Sequence, residues 1–525
     1  MLHLPSRFVS RCALVCFAAF ASFAATAHAD VKPAVLFSDH AVLQSGMPVP
    51  VWGTAAPGER VKVRFENQTQ SVKAGADGKW MVRLKKLKSG GPFEMTIAGK
   101  NSVTVKDILV GEVWLGSGQS NMQFTVSKKH APYAGMLNED QEIAAANFPQ
   151  IRMFSGKPTT SHDPQPDIQG SWIICSPETV GDFSAVGYLF ARDLQKALNV
   201  PVGIVLEAYG ASTAEAWIAR DALASDPQLK PMLDRFDALD AFYRQNPTAT
   251  ADQAPPGPQT LNARPAPATP QKLRDPARDQ HEPTVLFNGM INPVIPYAIR
   301  GALWYQGESI VGGKAGVLLY SHVMQTLVTD WRVLWGEGNF PFYFVQLPAL
   351  KNVSNNPMVR EEQAELLSVP NTAMAVTIDI GDPDNVHPKN KEPLGDRLTQ
   401  IALANAYGHK IEYSGPVYES MAVDGSAIRL KFSHVGGGLV AKDGPLQWFT
   451  IAGADQKFVP ADATIDGDTI VVKSAAVSAP VAVRYAWDNY PFGCNLYNAA
   501  GLPAAPFRTD QWDALSAIAT EFTGK

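Results

Sequence analysis

Between residues 31 and 107 apolar and polar positions alternate in short runs, such as "VPVWGTA", "RVKVRFEN", "KWMVRLKKL" and "FEMTIAG". Turn clusters at Ala56-Pro57-Gly58, Asp77-Gly78 and Ser89-Gly90-Gly91 separate them. Short alternating strands between regular turns predict a small β-sandwich. The pattern changes near Ile108, where "DILVGEVWLGSGQSNM" reads as a buried strand, a tight turn and a helix start. Further apolar strands are predicted at 202–210, 301–309, 341–347 and 372–379, with helical periodicity at 184–198 and 320–335. Alternating strands and helices predict an α/β domain whose mostly parallel sheet is covered on both faces. Ligands of such sheets bind at the carboxyl ends of the strands. Ser120, Gly210, Gln306 and the loop 379–387 all follow such ends. From about 220 to 284 the chain becomes rich in Pro, Ala and polar residues, which predicts a surface excursion, helical at its start and loose afterwards. Beyond 411 the β-like runs return, as in "AIRLKFSHV" and "VAVRYAW". The expected organisation is a leader at 1–29, a β-module at 30–107, an α/β domain at 108–410 with its insertion, and a β-rich module at 411–525.

Composition narrows the function classes. The chain has 525 residues, 46% hydrophobic and 18% charged, which is globular and long enough for roughly three domains. The net charge of −5 and the lack of any basic block give no support for a nucleic-acid partner. Arg7 and Arg11 precede "ALVCFAAFASFAA" and the Ala27-His28-Ala29 cleavage signal. These are the parts of a secretory signal peptide cut before Asp30, and the apolar run is shorter than the about 20 residues a membrane span needs. A periplasmic or secreted location is expected, with no membrane span after cleavage. Cys12 and Cys16 leave with the leader; Cys175 and Cys494 are left either as one disulfide or as two buried thiols. No Cys/His spacing suggests a metal site, and no cofactor is implied.

Candidate chemistry centres on "GQSNM" at 118–122. Taken alone, Ser120 reads as a turn serine that caps a helix. A hydrolytic serine needs a base, a group that orients the base, and donors for the oxyanion. His387 is the best-placed base: "DIGDPDNVHPKNK" (379–391) starts at a strand end, and Asp384 stands three residues before it. In a tight turn that spacing lets a carboxylate reach Nδ1 and leaves Nε2 for a serine. Asp379 and Asp382 are rival partners. A nucleophile elbow would need glycine at 122, where Met122 stands, and the loop lacks the Gly and Glu of an EF-hand.

Five stretches occur in order: "GQSNM", "YGASTAEAW" (209–217), "LFNGMINPVIPYAIRGALWYQGES" (286–309), "VREEQ" (359–363) and "DIGDPDNVHPKNK". Together they resemble the sialate O-acetylesterase-type carbohydrate esterases of the SGNH-hydrolase superfamily, and the likeness covers most of residues 31–512. It implies a three-layer α/β fold and an esterase that removes acetyl groups from carbohydrate. Ser120 corresponds to the nucleophile, His387 to the general base and Asp384 to its carboxylate. The oxyanion donors would be Ser120, Gly210 and Gln306. One departure stands out: Gly210-Ala211-Ser212 replaces the Gly-Gly-Thr of many relatives. Asn121 and Glu308 are expected to brace the site. Arg360 is a candidate for gripping a substrate carboxylate, with Gln363 beside it. Trp217 and Tyr305 are candidates either for stacking on a sugar or for the core. The expected partner is an O-acetylated carbohydrate. O-acetylated sialic acid is the first class, acetylated xylan or xyloglucan the alternative. A carbohydrate-binding protein with a vestigial site, and a lipase or peptidase, are the rival classes.

Overall fold

A single strand runs through two regions of the molecule. β1 (Ser102–Gly118) is 17 residues long and is buried throughout from Leu109 to Gly118. Its first part pairs antiparallel with Gly90–Ala98 and, at Leu109–Gly111, parallel with Val42–Gln44. From Glu112 onward it lies at the centre of the main sheet. The expected boundary between 107 and 108 therefore falls inside an unbroken strand. The computed structural model describes residues 30–129, 133–255, 271–310 and 314–512; the leader expected at 1–29 lies outside the described residues.

The main sheet adds β2 (Phe148–Gly156), β3 (Gly170–Cys175), β4 (Val202–Ala208), β5 (Gly301–Tyr305), β6 (Phe342–Val345) and β7 (Thr372–Ala375). Their order is β3-β2-β4-β1-β5-β6-β7. Every pairing along this path is parallel except β3 with β2 at the edge, so the sheet is mixed. β4, β5 and β6 are buried at every position. That is why these strands read as continuous apolar runs rather than alternating ones. The helices α1 (Ala185–Leu198), α2 (Lys314–Trp335), α3 (Asn356–Glu365) and α4 (Glu392–Asn405) pack in pairs, α1 with α4 and α2 with α3. Ser184 caps α1 by accepting the Gly187 N–H, and Asn199 ends it in the left-handed region. Trp217, Trp304 and Trp331 meet edge to face in the core beneath α2.

The excursion after 220 is more ordered than its composition suggests. Helices cover Arg220–Ser225 and Lys230–Gln245. Arg235 pairs with the buried Glu282 at 2.9 Å, and Thr284 donates its N–H to Glu215 O. The Pro-rich stretch 256–270 lies outside the described residues. Beyond 411, one four-stranded sheet joins Val417–Asp424, Ala427–Ser433, Thr469–Lys473 and Asp462–Asp466. A second joins Val459–Pro460, Phe449–Ala452, Ala482–Tyr485 and Phe507–Arg508. Cys175 and Cys494 are both buried and free; they do not form a disulfide.

Candidate active site

Register places three strand ends side by side. Gly118 at the end of β1 is opposite Ala208 of β4 and Tyr305 of β5. The chain turns sharply at Gly118, whose φ is +128° and where an added Cβ would lie 2.1 Å from Tyr305 O. Only glycine fits that approach. The turn delivers Ser120 as the first residue of a single helical turn, Ser120–Gln123.

His387 comes from the far side of the sheet, after β7. Its Nε2 lies 2.7 Å from Ser120 Oγ, across 267 residues of sequence. Tyr133 stacks on the imidazole with ring centroids 4.6 Å apart. Burial lowers the His387 pKa to about 4, and the Lys391 ammonium adds to the effect. The imidazole is thus neutral, and able to accept a proton, across the neutral range.

The carboxylate expected at Asp384 does not reach it. Asp384 is exposed, and no hydrogen bond or ion pair joins it to His387. The reason is the shape of the turn. Asp382 Oδ1 accepts the N–H groups of Asp384 and Asn385, and Asn385 Oδ1 accepts the N–H of His387. This arrangement of side-chain caps turns Asp384 outward. Asp379 is also committed elsewhere, to both terminal nitrogens of the Arg397 guanidinium and to Tyr497 Oη.

The His387 loop is held from beneath by a buried polar relay. Asn121, next to Ser120, donates to Val386 O at 2.9 Å and to Glu308 Oε1 at 2.5 Å. Its Oδ1 accepts from Lys391 Nζ at 2.6 Å. The Lys391 ammonium also faces the rings of Phe124 and Tyr305, at 4.7 and 5.3 Å from their centroids. Only 1% of Lys391 is exposed, and burial lowers its pKa to about 7 against the pull of Glu308. Burial likewise raises the Glu308 carboxyl, whose Oε2 has no hydrogen-bond partner among the described residues. Asn121, Glu308 and Lys391 thus form one hydrogen-bonded group beneath the His387 loop. Spacing gave no sign of Lys391, since a lysine in a polar loop ordinarily points to water.

The remaining candidates divide. Gly210 lies beside Ser120: a Cβ built on it would be 3.7 Å from Ser120 Cβ. Its N–H donates to Gln123 Oε1 at 3.1 Å. The neighbouring Ala211 sits in the left-handed region at φ +57°. Gln306 is fully buried, so it cannot meet a substrate oxygen in this conformation; its Nε2 donates to Ser212 O and its Oε1 accepts from Tyr320 Oη. Gln363 is likewise enclosed, bonded to Leu347 N, Val345 O and Gln306 O. Arg360 is not a substrate anchor either. It is 1% exposed, and it donates to the carbonyls of Leu347, Pro348, Asp488 and Asn489. Burial lowers its pKa to about 9. Trp217 and Tyr305 belong to the core, at 0% and 1% exposure, and cannot stack on a sugar.

The chain is similar to known carbohydrate esterases. Residues 282–404 match a family described as carbohydrate esterase, sialic acid-specific acetylesterase. The chain is 30% identical over 522 residues to the sialate O-acetylesterase of Mus musculus, covering 87% of this chain and 90% of that protein. It is 28% identical to the Homo sapiens sialate O-acetylesterase, covering 87% and 88%. The crystal structure of a carbohydrate acetylesterase from Xanthomonas citri is similar at 35% identity and a TM-score of 0.78, covering 92% of this chain and all of that one.

Proposed function

Because this chain belongs to the sialate O-acetylesterase family and is a carboxylic ester hydrolase, we propose that it removes O-acetyl groups from carbohydrate through an acetyl-enzyme on Ser120. The observation that carries the mechanism is the 2.7 Å contact between Ser120 Oγ and His387 Nε2. His387 takes the serine proton as Oγ adds to the acetyl carbonyl. The backbone N–H groups of Ser120 and Gly210 receive the oxyanion, each worth about 3 kcal/mol of barrier. In the free protein the Gln123 amide oxygen lies on the Gly210 N–H, and the substrate oxygen takes its place. The tetrahedral adduct then collapses, and His387 returns the proton to the departing sugar oxygen. Water, deprotonated by the same imidazole, adds to the acetyl-enzyme; the second adduct expels Ser120 Oγ, which takes the proton back from His387, and acetate is released. The sheet and its helices support a three-layer SGNH-type reading of the domain, and the leader-like N-terminus supports export to the periplasm or beyond.

The relatives' names put O-acetylated sialic acid first among substrates. The burial of Arg360 removes the carboxylate anchor that this reading used. On that observation acetylated xylan or xyloglucan stands beside it as the second reading. The test is acetate release from O-acetylated sialic acid, acetylated xylan, acetylated xyloglucan and an aryl acetate, each run beside Ser120→Ala. Activity on one glycan, lost in the variant, is expected. A folded protein that releases acetate from none of them refutes the reading and leaves a carbohydrate-binding protein.

A further inference from the structure

The module beyond residue 411 presents aromatic rings where a soluble surface normally avoids them. Phe492 is 75% exposed, the highest value among the exposed large apolar residues described. Tyr490 lies nearly parallel to it, with centroids 5.8 Å apart and planes 15° apart. Lys351 Nζ sits 5.1 Å from the Tyr490 centroid. Trp448, itself 38% exposed, donates its indole N–H to Phe492 O at 2.6 Å and adopts φ +67°. A bulky residue in the left-handed region costs free energy and persists only where its surroundings hold it.

Tyr490 and Phe492 border a cavity of about 410 Å³, the size of a site for one or two sugar rings. Asp379 and Gly381 contribute the side that belongs to the His387 loop; Lys442, Asp443 and Gln447 contribute polar groups from the C-terminal module. Backbone bonds tie the two sides together. Leu350 N–H donates to Asn489 O and Lys351 N–H to Pro383 O. The aromatic loop therefore abuts the loop that ends in His387.

We infer that Tyr490, Phe492 and the adjoining cavity form a subsite that stacks a pyranose ring of the glycan beyond its acetylated residue. This rests on the carbohydrate-esterase reading and extends it to the C-terminal module. The flat C–H face of a sugar matches an exposed ring, while Lys442, Asp443 and Gln447 meet its hydroxyls. A ring already exposed in the free protein binds without first being uncovered.

The experiment compares wild type with Phe492→Ala and with Tyr490→Ala/Phe492→Ala, after thermal melts show that all are folded. For acetylated xylo-oligosaccharide, acetylated xyloglucan oligosaccharide and O-acetylated sialyllactose, kcat/KM is taken relative to that for an aryl acetate. A roughly tenfold fall in this ratio, carried by KM, is expected for at least one glycan. An unchanged ratio for every glycan overturns the inference. A second measurement separates this failure from failure of the esterase reading. Binding of unacetylated xylohexaose, xyloglucan heptasaccharide and sialyllactose to Ser120→Ala is followed by calorimetry, with and without Phe492→Ala. Binding weakened by the second substitution supports the subsite even if no glycan is hydrolysed. Equal binding, or none to any of the three, overturns it.

Discussion

Replacing Lys391 with methionine removes an ammonium and keeps most of the side-chain volume. In the wild type that ammonium disfavours protonation of His387, whose pKa lies at about 4 rather than 6.5. Burial is the larger cause and Lys391 the second, so the lysine accounts for less than half of the displacement. The acid limb of kcat/KM on an aryl acetate is expected near pH 4 in the wild type and nearer about pH 5 in Lys391→Met. Stability gives an independent readout. The folded-state pKa of Lys391 is about 7 against an ordinary 10.5. Between those values the unfolded chain binds more protons than the folded one, so stability rises with pH across this window. Below pH 7 the cost is fully present, of order 4 to 5 kcal/mol. The methionine variant carries no such cost. Between pH 6 and pH 9.5, wild type should therefore gain stability relative to the variant, read as the difference in denaturant midpoints. An acid limb fixed at pH 4 in a folded variant, with no pH dependence in the stability difference, would refute the reasoning.

Three further outcomes are expected. Asp384→Asn should change kcat by less than about threefold, because the exposed carboxylate does not touch His387; a loss near the ~10⁴-fold seen when a triad carboxylate is neutralised would show that the loop rearranges in the working enzyme. Ala211→Gly should raise the denaturant midpoint by the equivalent of about 1 kcal/mol, since an L residue at φ +57° gives way to glycine; an unchanged or lower midpoint would show no strain there. Arg360→Met should cost about 3 to 5 kcal/mol in urea unfolding by leaving the buried Leu347 and Pro348 carbonyls without their donor; a loss below 1 kcal/mol would show that water replaces it.

Strand positions were legible because period and composition carry them. Fully buried parallel strands are apolar without interruption, and β4, β5 and β6 were expected close to where they lie. That Ser120, Gly210 and Gln306 follow strand ends was legible from the same pattern; their nearness depends also on the order β4-β1-β5, which the pattern does not carry. Side-chain direction was not legible. Asp384 stands at a spacing that suits a histidine partner, yet the capping bonds of Asp382 aim it at solvent. Arg360 reads as a charge for a ligand, and only the tertiary structure reveals the carbonyls that enclose it. Lys391 lies in a quoted motif and still escaped notice, because its burial depends on Asn121 and Tyr305 arriving from elsewhere. The unbroken run of β1 across residue 107 was not legible for a related reason: a strand can change its neighbours along its length without changing its own conformation.

The acceptors of Arg360 lie 128 and 129 residues further along the chain, at Asp488 and Asn489. On a ribosome, Arg360 emerges long before those carbonyls exist. Until they do, the guanidinium lacks half of its acceptors and has no settled place in the interior. The segment at Leu347–Pro348 that it also holds must wait. Most of the polypeptide therefore has to be synthesised before the site can take its final shape, and a nascent chain cut short before Asp488 would hold Ser120 and His387 without the last pin of the frame that joins them.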